Sequence, residues 1–214
     1  MRKLLIIAAC AIMSLTANAG TDEGTSKKFF SAEKSKAKST FGLRLGGNLA
    51  NISGDVIDTD SRLGLNAGIS IDIPVLESLY IYTGLYAAEK GFEVEAGSEK
   101  MEAKPLFLDI PVLASYRYNF NSSTQLQVDF GPYFAYGLSG KVELESGGSE
   151  YKQDCFDNSN LKRFDYGIQM GTGITVKRIY AGIAYQIGLN DLNDTKENGD
   201  IHNRNFIFNI GYKL

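Results

Sequence analysis

In the stretch IYAGIAYQIGLN, every second residue is apolar: Ile179, Ala181, Ile183, Tyr185, Ile187 and Leu189. The intervening set, Tyr180, Gly182, Ala184, Gln186, Gly188 and Asn190, is small or polar. A period of two belongs to a β-strand with unlike faces. The pattern recurs from Phe41 to Leu214, and helical spacing competes with it nowhere for long. The apolar phase holds Phe41, Leu43, Leu45 and Leu49, then Leu63 to Ile73, then Leu106 to Phe120, Leu126 to Leu138, Phe164 to Val176 and Phe206 to Leu214. The stretch LYIYTGLYAAEKGFEV alternates least cleanly, because Tyr80, Tyr82 and Tyr86 share a phase with Gly84 and Lys90. Together these stretches predict eight strands.

The polar phase decides which face is inside. A glycine weakens a strand by roughly 0.5–1 kcal/mol relative to alanine and packs nothing. Yet Gly42, Gly46, Gly64, Gly68, Gly84, Gly131, Gly137, Gly167, Gly171, Gly173, Gly182, Gly188 and Gly211 all sit on that phase, so the face they line is crowded. It also carries charges of both signs: Arg44, Asp72, Lys90, Asp109, Arg117, Asp129, Arg163, Asp165 and Lys213. A water-soluble barrel would turn its apolar face inward and its charges outward. Here the apolar face is nearly free of charge and rich in Tyr and Phe near strand ends, as a lipid-facing wall with aromatic girdles is. Backbone groups in hydrocarbon need internal partners, so spanning strands must close into a barrel. The expected fold is all-β, an eight-stranded antiparallel up-and-down transmembrane β-barrel over residues 41–214. In a barrel of this size side chains fill the interior. A salt-bridged plug is therefore expected rather than a proton or ion path.

Connections orient this barrel. Pro74–Ser78, Asn119–Thr124 and Lys177-Arg178 are short, whereas Asn51–Asp60, Ala96–Lys100, Val142–Lys162 and Leu192–His202 are long and polar. The two kinds alternate, as periplasmic turns and outer loops do in such barrels.

Ahead of the barrel, MRKLLIIAACAIMSLTANAG has two cations, an apolar core and small residues at Ala17 and Ala19, the pattern of a cleaved signal peptide over residues 1–19. A lipoprotein site at Cys10 fits less well, because the apolar run continues past it. Residues 20–40 are Lys- and Ser-rich without a period, as in a flexible periplasmic segment. Once the signal is removed, Cys155 is the sole cysteine and cannot form an internal disulfide. The chain's net charge of −3 becomes −5 without Arg2 and Lys3, which leaves no basic surplus for nucleic acid.

Six segments resemble the outer-membrane β-barrel proteins of Bacteroidota known as PorT-like. They are GLRLGGNLANISG, LYAAEKGFEV, LDIPVLASYRYNF, GPYFAYGL, FDYGIQMGTGI and AYQIGLNDL, in that order between Phe41 and Leu214. The resemblance implies an eight-stranded outer-membrane barrel and says little about activity; the namesake's tie to secretion and gliding is not carried over. Gly84 stands where the resemblance leads one to expect a glutamate. Phe206, Phe208, Ile210, Tyr212 and Leu214 look like the terminal signal read by the barrel-assembly machinery, although any lipid-facing last strand has this form.

Candidate sites are sparse. His202 is the single histidine and stands beside Asp200, without the convergent partners of a catalytic or metal site. Asp55, Asp58 and Asp60, and Asp191, Asn193, Asp194, Glu197 and Asp200, lack the spacing of a calcium loop and read as solvated loop acids. GIQMGTG superficially resembles a nucleotide-binding turn, but it lies in a strand with no helix after it. Cys155 falls in the longest loop and reads as either an exposed thiol or an incidental one. No catalytic, cofactor or metal residue is assigned. The expected role is that of a non-enzymatic outer-membrane barrel with structural or interaction duties. The expected partners are membrane lipid, the assembly machinery and a protein at the surface loops. A narrow channel, a secretion accessory and a small barrel enzyme are the alternatives.

Overall fold

The computed structural model describes residues 33–54, 60–96, 99–146, 149–156, 162–191 and 201–214. Ten strands follow in chain order: β1 Thr40–Gly54, β2 Asp60–Pro74, β3 Leu79–Glu89, β4 Phe92–Ala96, β5 Glu99–Asn119, β6 Thr124–Ser146, β7 Ser149–Asp154, β8 Phe164–Val176, β9 Ile179–Gly188 and β10 Ile201–Lys213. All neighbours are antiparallel, and β1 pairs with both β2 and β10, which closes the wall. β3 and β4 form one stave interrupted at Lys90-Gly91, and β7 is an appendage hydrogen-bonded to β6. The result is the expected closed eight-stranded barrel, with no helix among the described residues.

The staves alternate as the sequence predicts. Lipid-phase side chains stand on the outer surface: Leu45 is 67% exposed and Leu65 68%, whereas Arg44 and Asn66 one residue away are each 6% exposed. So large an apolar surface on a folded chain marks a contact with something other than water. The irregular β3 resolves in the same way. Ile81 and Leu85 face outward, while Tyr82 and Tyr86 are buried in the lumen. Some apolar groups also turn inward, among them Phe107, Leu113 and Ile207.

Pro111 loosens the wall locally. Lacking an N–H, it cannot sustain a ladder on both sides. The register of β3 against β5 runs to Thr83↔Val112 and resumes at Tyr86↔Asp109, skipping Pro111, while Pro111 stays paired with Tyr133 of β6.

One rim gathers the chain end and the short connections: Leu214 N donates to Phe41 O, Lys213 N to Arg178 O, Lys177 N to Ser123 O and Arg117 N to Ser78 O. Residues just before β1 run along this rim, with Lys34 bridged to Leu76 and Glu77 N donating to Glu33 O.

At the opposite end two expected long loops are corrected. Glu99 to Ala103 of β5 pairs with β4, and β6 continues to Ser146 with β7 folding back along it, so the described part of Val142–Lys162 is hairpin as far as Asp154. In KVELES and SEYKQD the polar residues occupy both phases, so periodicity gives little signal there. Pairing nevertheless satisfies the backbone groups of this projecting segment.

Candidate functional site

Charged side chains converge in the lumen, and strand alternation puts them there. Near the short-turn rim, Arg117 on β5 forms an ion pair with Asp72 on β2 at 2.5 Å. The same guanidinium donates to Ser115 Oγ at 2.9 Å and to Gln125 Oε1 at 3.1 Å. Lys213 Nζ, from β10, lies 3.5 Å from the second Asp72 oxygen. On β6, Gln127 Nε2 donates to Asp129 at 2.5 Å.

One step further in, Arg44 is stacked between two tyrosines. Its guanidinium carbon lies 3.7 Å from the Tyr180 ring centroid and 4.4 Å from that of Tyr82. The Tyr180 ring needs the room left by two glycines, because a Cβ at Gly173 or Gly182 would overlap it. Tyr82 and Tyr86 are joined hydroxyl to hydroxyl. A Cβ at Gly84 would strike the Tyr86 ring, so tyrosine fills the space in which the PorT-like resemblance leads one to expect a glutamate.

Toward the far end, Lys90 Nζ lies 2.8 Å from Asp109 Oδ1, with both side chains buried. Gln186 links Asp109 at 3.2 Å to Gln169 at 3.0 Å, and Asn205 Nδ2 donates to Gln186 at 3.1 Å. Asp165 accepts from Tyr133 at 3.0 Å and from Asn203 at 3.1 Å. Between the two charged tiers lies a cavity of about 30 Å³ bordered by Asn66, Tyr86, Asp109, Pro111, Gln186 and Asn209, among others. That is space for about one or two waters. The interior is therefore filled by side chains; of the inner charges expected from the sequence, Asp72, Lys90, Asp109, Arg117 and Lys213 form ion pairs across it, while Arg44 and Arg163 stack on rings and Asp129 and Asp165 accept from neutral groups.

The outer mouth holds a cluster that periodicity missed. Phe156 packs edge-on against Phe107 at 6.0 Å between centroids, and the Arg163 guanidinium stacks on the Phe156 ring at 4.8 Å. The ring rests on Gly137, where a Cβ would overlap it. Cys155, read from the sequence as an exposed or incidental thiol, is fully buried. Its N–H donates to Gly140 O at 3.0 Å. Burial pushes the thiol up to about 11, against a backbone hydrogen bond from Lys104 that acts the other way. A thiol held there is almost wholly protonated at neutral pH.

Beyond the apolar band, a chain of charges joins four strands. Arg62 pairs with Glu102 at 2.8 Å, Lys104 bridges Glu102 at 2.9 Å and Glu143 at 2.7 Å, and Lys152 reaches Glu143 at 3.3 Å. Burial raises the Glu102 carboxyl, but the hydrogen bonds and charges of Lys104 and Arg62 outweigh it and hold the group below its ordinary value. Hydrogen bonds from Lys104 and then Lys152 do the same for Glu143. Those to Glu143 and Glu102 raise Lys104.

Other sequence candidates do not come together. His202 is the second residue of β10, with Nδ1 3.1 Å from Asn190 O. Asp191 is placed through its carbonyl, which accepts from Lys162 at 3.2 Å. Asp60 opens β2 opposite Glu93. Asp55, Asp58, Asn193, Asp194, Glu197 and Asp200 lie outside the described residues. GIQMGTG is ordinary ladder within β8. Among the described residues no three His, Cys, Asp or Glu side chains group as metal ligands.

A family model described as "Outer membrane protein beta-barrel domain" matches residues 28–194. Among solved structures the chain is similar to Ail, the attachment invasion locus protein of Yersinia pestis. That match has 13% identity over 83% of this chain and 100% of that one, with a TM-score of 0.45. It is also similar to OprG from Pseudomonas aeruginosa, with 13% identity over 85% of this chain and 97% of that one, at 0.44. Neisserial surface protein A matches with 12% identity over 83% and 100%, at 0.43. No curated protein matches the chain. Matched over residues 28–194, the chain belongs to the outer membrane protein β-barrel family and is a protein of the outer membrane.

Proposed function

We propose that this protein is a non-enzymatic, non-conducting outer-membrane barrel whose projecting hairpins, β4–β5 and β6–β7, are its working part in contacts at the cell surface. The observation that carries the reading is the filled lumen. Paired charges such as Arg117–Asp72 and Lys90–Asp109, with the stacked Arg44, occupy the axis where a pore would need continuous water. The strands β5 and β6, of 21 and 23 residues, exceed the roughly 9–11 needed to cross the bilayer, so their far ends stand clear of it. Residues 1–19 act as the export signal in this reading, residues 20–40 as a periplasmic lead, and the PorT-like kinship within Bacteroidota rests on the six sequence segments. Lipid, the assembly machinery and a surface-bound protein are its partners.

Planar-bilayer recording on the purified protein tests this. A packed lumen gives no steady conductance, and a reproducible ohmic pore overturns the proposal.

A further inference from the structure

A piece of chain that does not belong to the barrel wall packs into the outer mouth. β7 peels back along β6, and at its end Asp154 Oδ1 accepts the Phe156 N–H at 2.8 Å, a turn that drops residues 155 and 156 onto the mouth. Phe156 then sits over Gly137, against Phe107 and under Arg163, while Cys155 wedges beside Gly140. Phe107 is itself the upper neighbour of the buried pair below, with Lys90 Nζ 5.4 Å from its ring centroid. Among the described residues, Phe156 and Phe107 thus stack in sequence above the Lys90–Asp109 pair. The contacts that hold this layer include one ring-on-ring packing, one stacked cation, the backbone bond to Gly140 and the bond between the Cys155 thiol and the Lys104 backbone. Releasing it breaks no rung between the eight wall staves, because β7 pairs with β6 on the projecting part.

We propose that Asp154–Phe156 is a latch that closes the outer mouth, with the Phe156 ring in the Gly137 slot as its catch. When the ring leaves, the end of β7 lifts, Cys155 becomes reachable from outside, and the upper tier of the lumen is uncovered. Local opening of this kind is far cheaper than unfolding the barrel and is read by the reaction of a group buried only when closed.

Cys155 is the built-in reporter. The full chain, folded in outer-membrane vesicles, is treated with a membrane-impermeant maleimide, and the label at Cys155 is quantified by peptide mapping over time. The wild type is expected to react slowly. Phe156→Ala, which removes the catch, and Gly137→Val, which fills the slot, are expected to speed labelling by about tenfold or more. Tyr151→Ala, at an exposed β7 position, leaves it unchanged. Retained heat-modifiable migration on gels shows that the barrel is intact in each variant. If Phe156→Ala and Gly137→Val label as slowly as the wild type in intact barrels, or if wild-type Cys155 reacts as fast as an exposed thiol, the latch is refuted.

Discussion

Arg44 on β1 lies between the rings of Tyr82 on β3 and Tyr180 on β9, at 4.4 and 3.7 Å from their centroids. The arrangement ties three staves together through one planar cation. Lysine keeps the charge but cannot present a flat face to both rings. Arg44→Lys is therefore expected to lower stability by about 1–2 kcal/mol, read as a shift in the urea midpoint of the protein refolded in lipid. An unchanged midpoint means that the stacking contributes nothing.

Asp72 is shared by Arg117 at 2.5 Å and Lys213 at 3.5 Å. Asp72→Asn leaves the buried Arg117 and the partly buried Lys213 facing a neutral group, whereas Arg117→Met leaves Asp72 with Lys213 as its remaining cation. The first is expected to cost about 3–5 kcal/mol and the second clearly less. A double-mutant cycle in the same unfolding assay measures the coupling, and equal losses contradict the shared-anion reading.

Lys177 opens the two-residue β8–β9 turn with φ at 57°, a left-handed conformation unusual for a side-chain-bearing residue. Lys177→Gly relieves that conformation and gains about 0.5–1 kcal/mol after the entropy glycine adds to the unfolded chain. A higher urea midpoint is the expected result.

The charge chain over β2, β5, β6 and β7 depends on pH in a defined direction. Glu102 and Glu143 are held below their ordinary values, so their contribution is complete above the usual carboxylate range and is lost as pH falls through their lowered values. Lys104 is raised, so its share is complete below the ordinary lysine range and is lost as pH rises through its raised value. Amide exchange in β7, corrected for intrinsic rates, is expected to be slowest near neutral pH and to speed up toward pH 3, with the wall strands unaffected. Molar salt weakens the same contacts by screening. Equal protection of β7 at both pH values contradicts this account.

Much of this was legible from the residues alone. Ile179, Ile183 and Leu45 face outward as their phase requires, and Lys90, Asp109, Asp72 and Arg117 meet across the lumen as opposite charges on a crowded face must. What stayed hidden has physical reasons. In LFLDIPVL both phases are apolar around Asp109, so alternation cannot say that Phe107 and Leu113 turn inward. The tyrosines of β3 are equally at home at a membrane interface and against a buried guanidinium, and only the neighbouring staves choose. Phe156 and Cys155 reach the mouth through a hairpin whose polar residues fall on both faces, so nothing in their local sequence marks Cys155 as buried or Phe156 as packed.

The face assignment is tested most directly by spin labels placed singly along β9 at Ile179, Tyr180, Ala181, Gly182 and Ile183 in a reconstituted bilayer. The structure predicts oxygen accessibility that oscillates with period two, high at Ile179, Ala181 and Ile183 and low at Tyr180 and Gly182, because Ile179 is 60% exposed on the outer wall and Tyr180 4%. A flat profile, or one with maxima at Tyr180 and Gly182, would contradict the placement of the apolar phase against lipid.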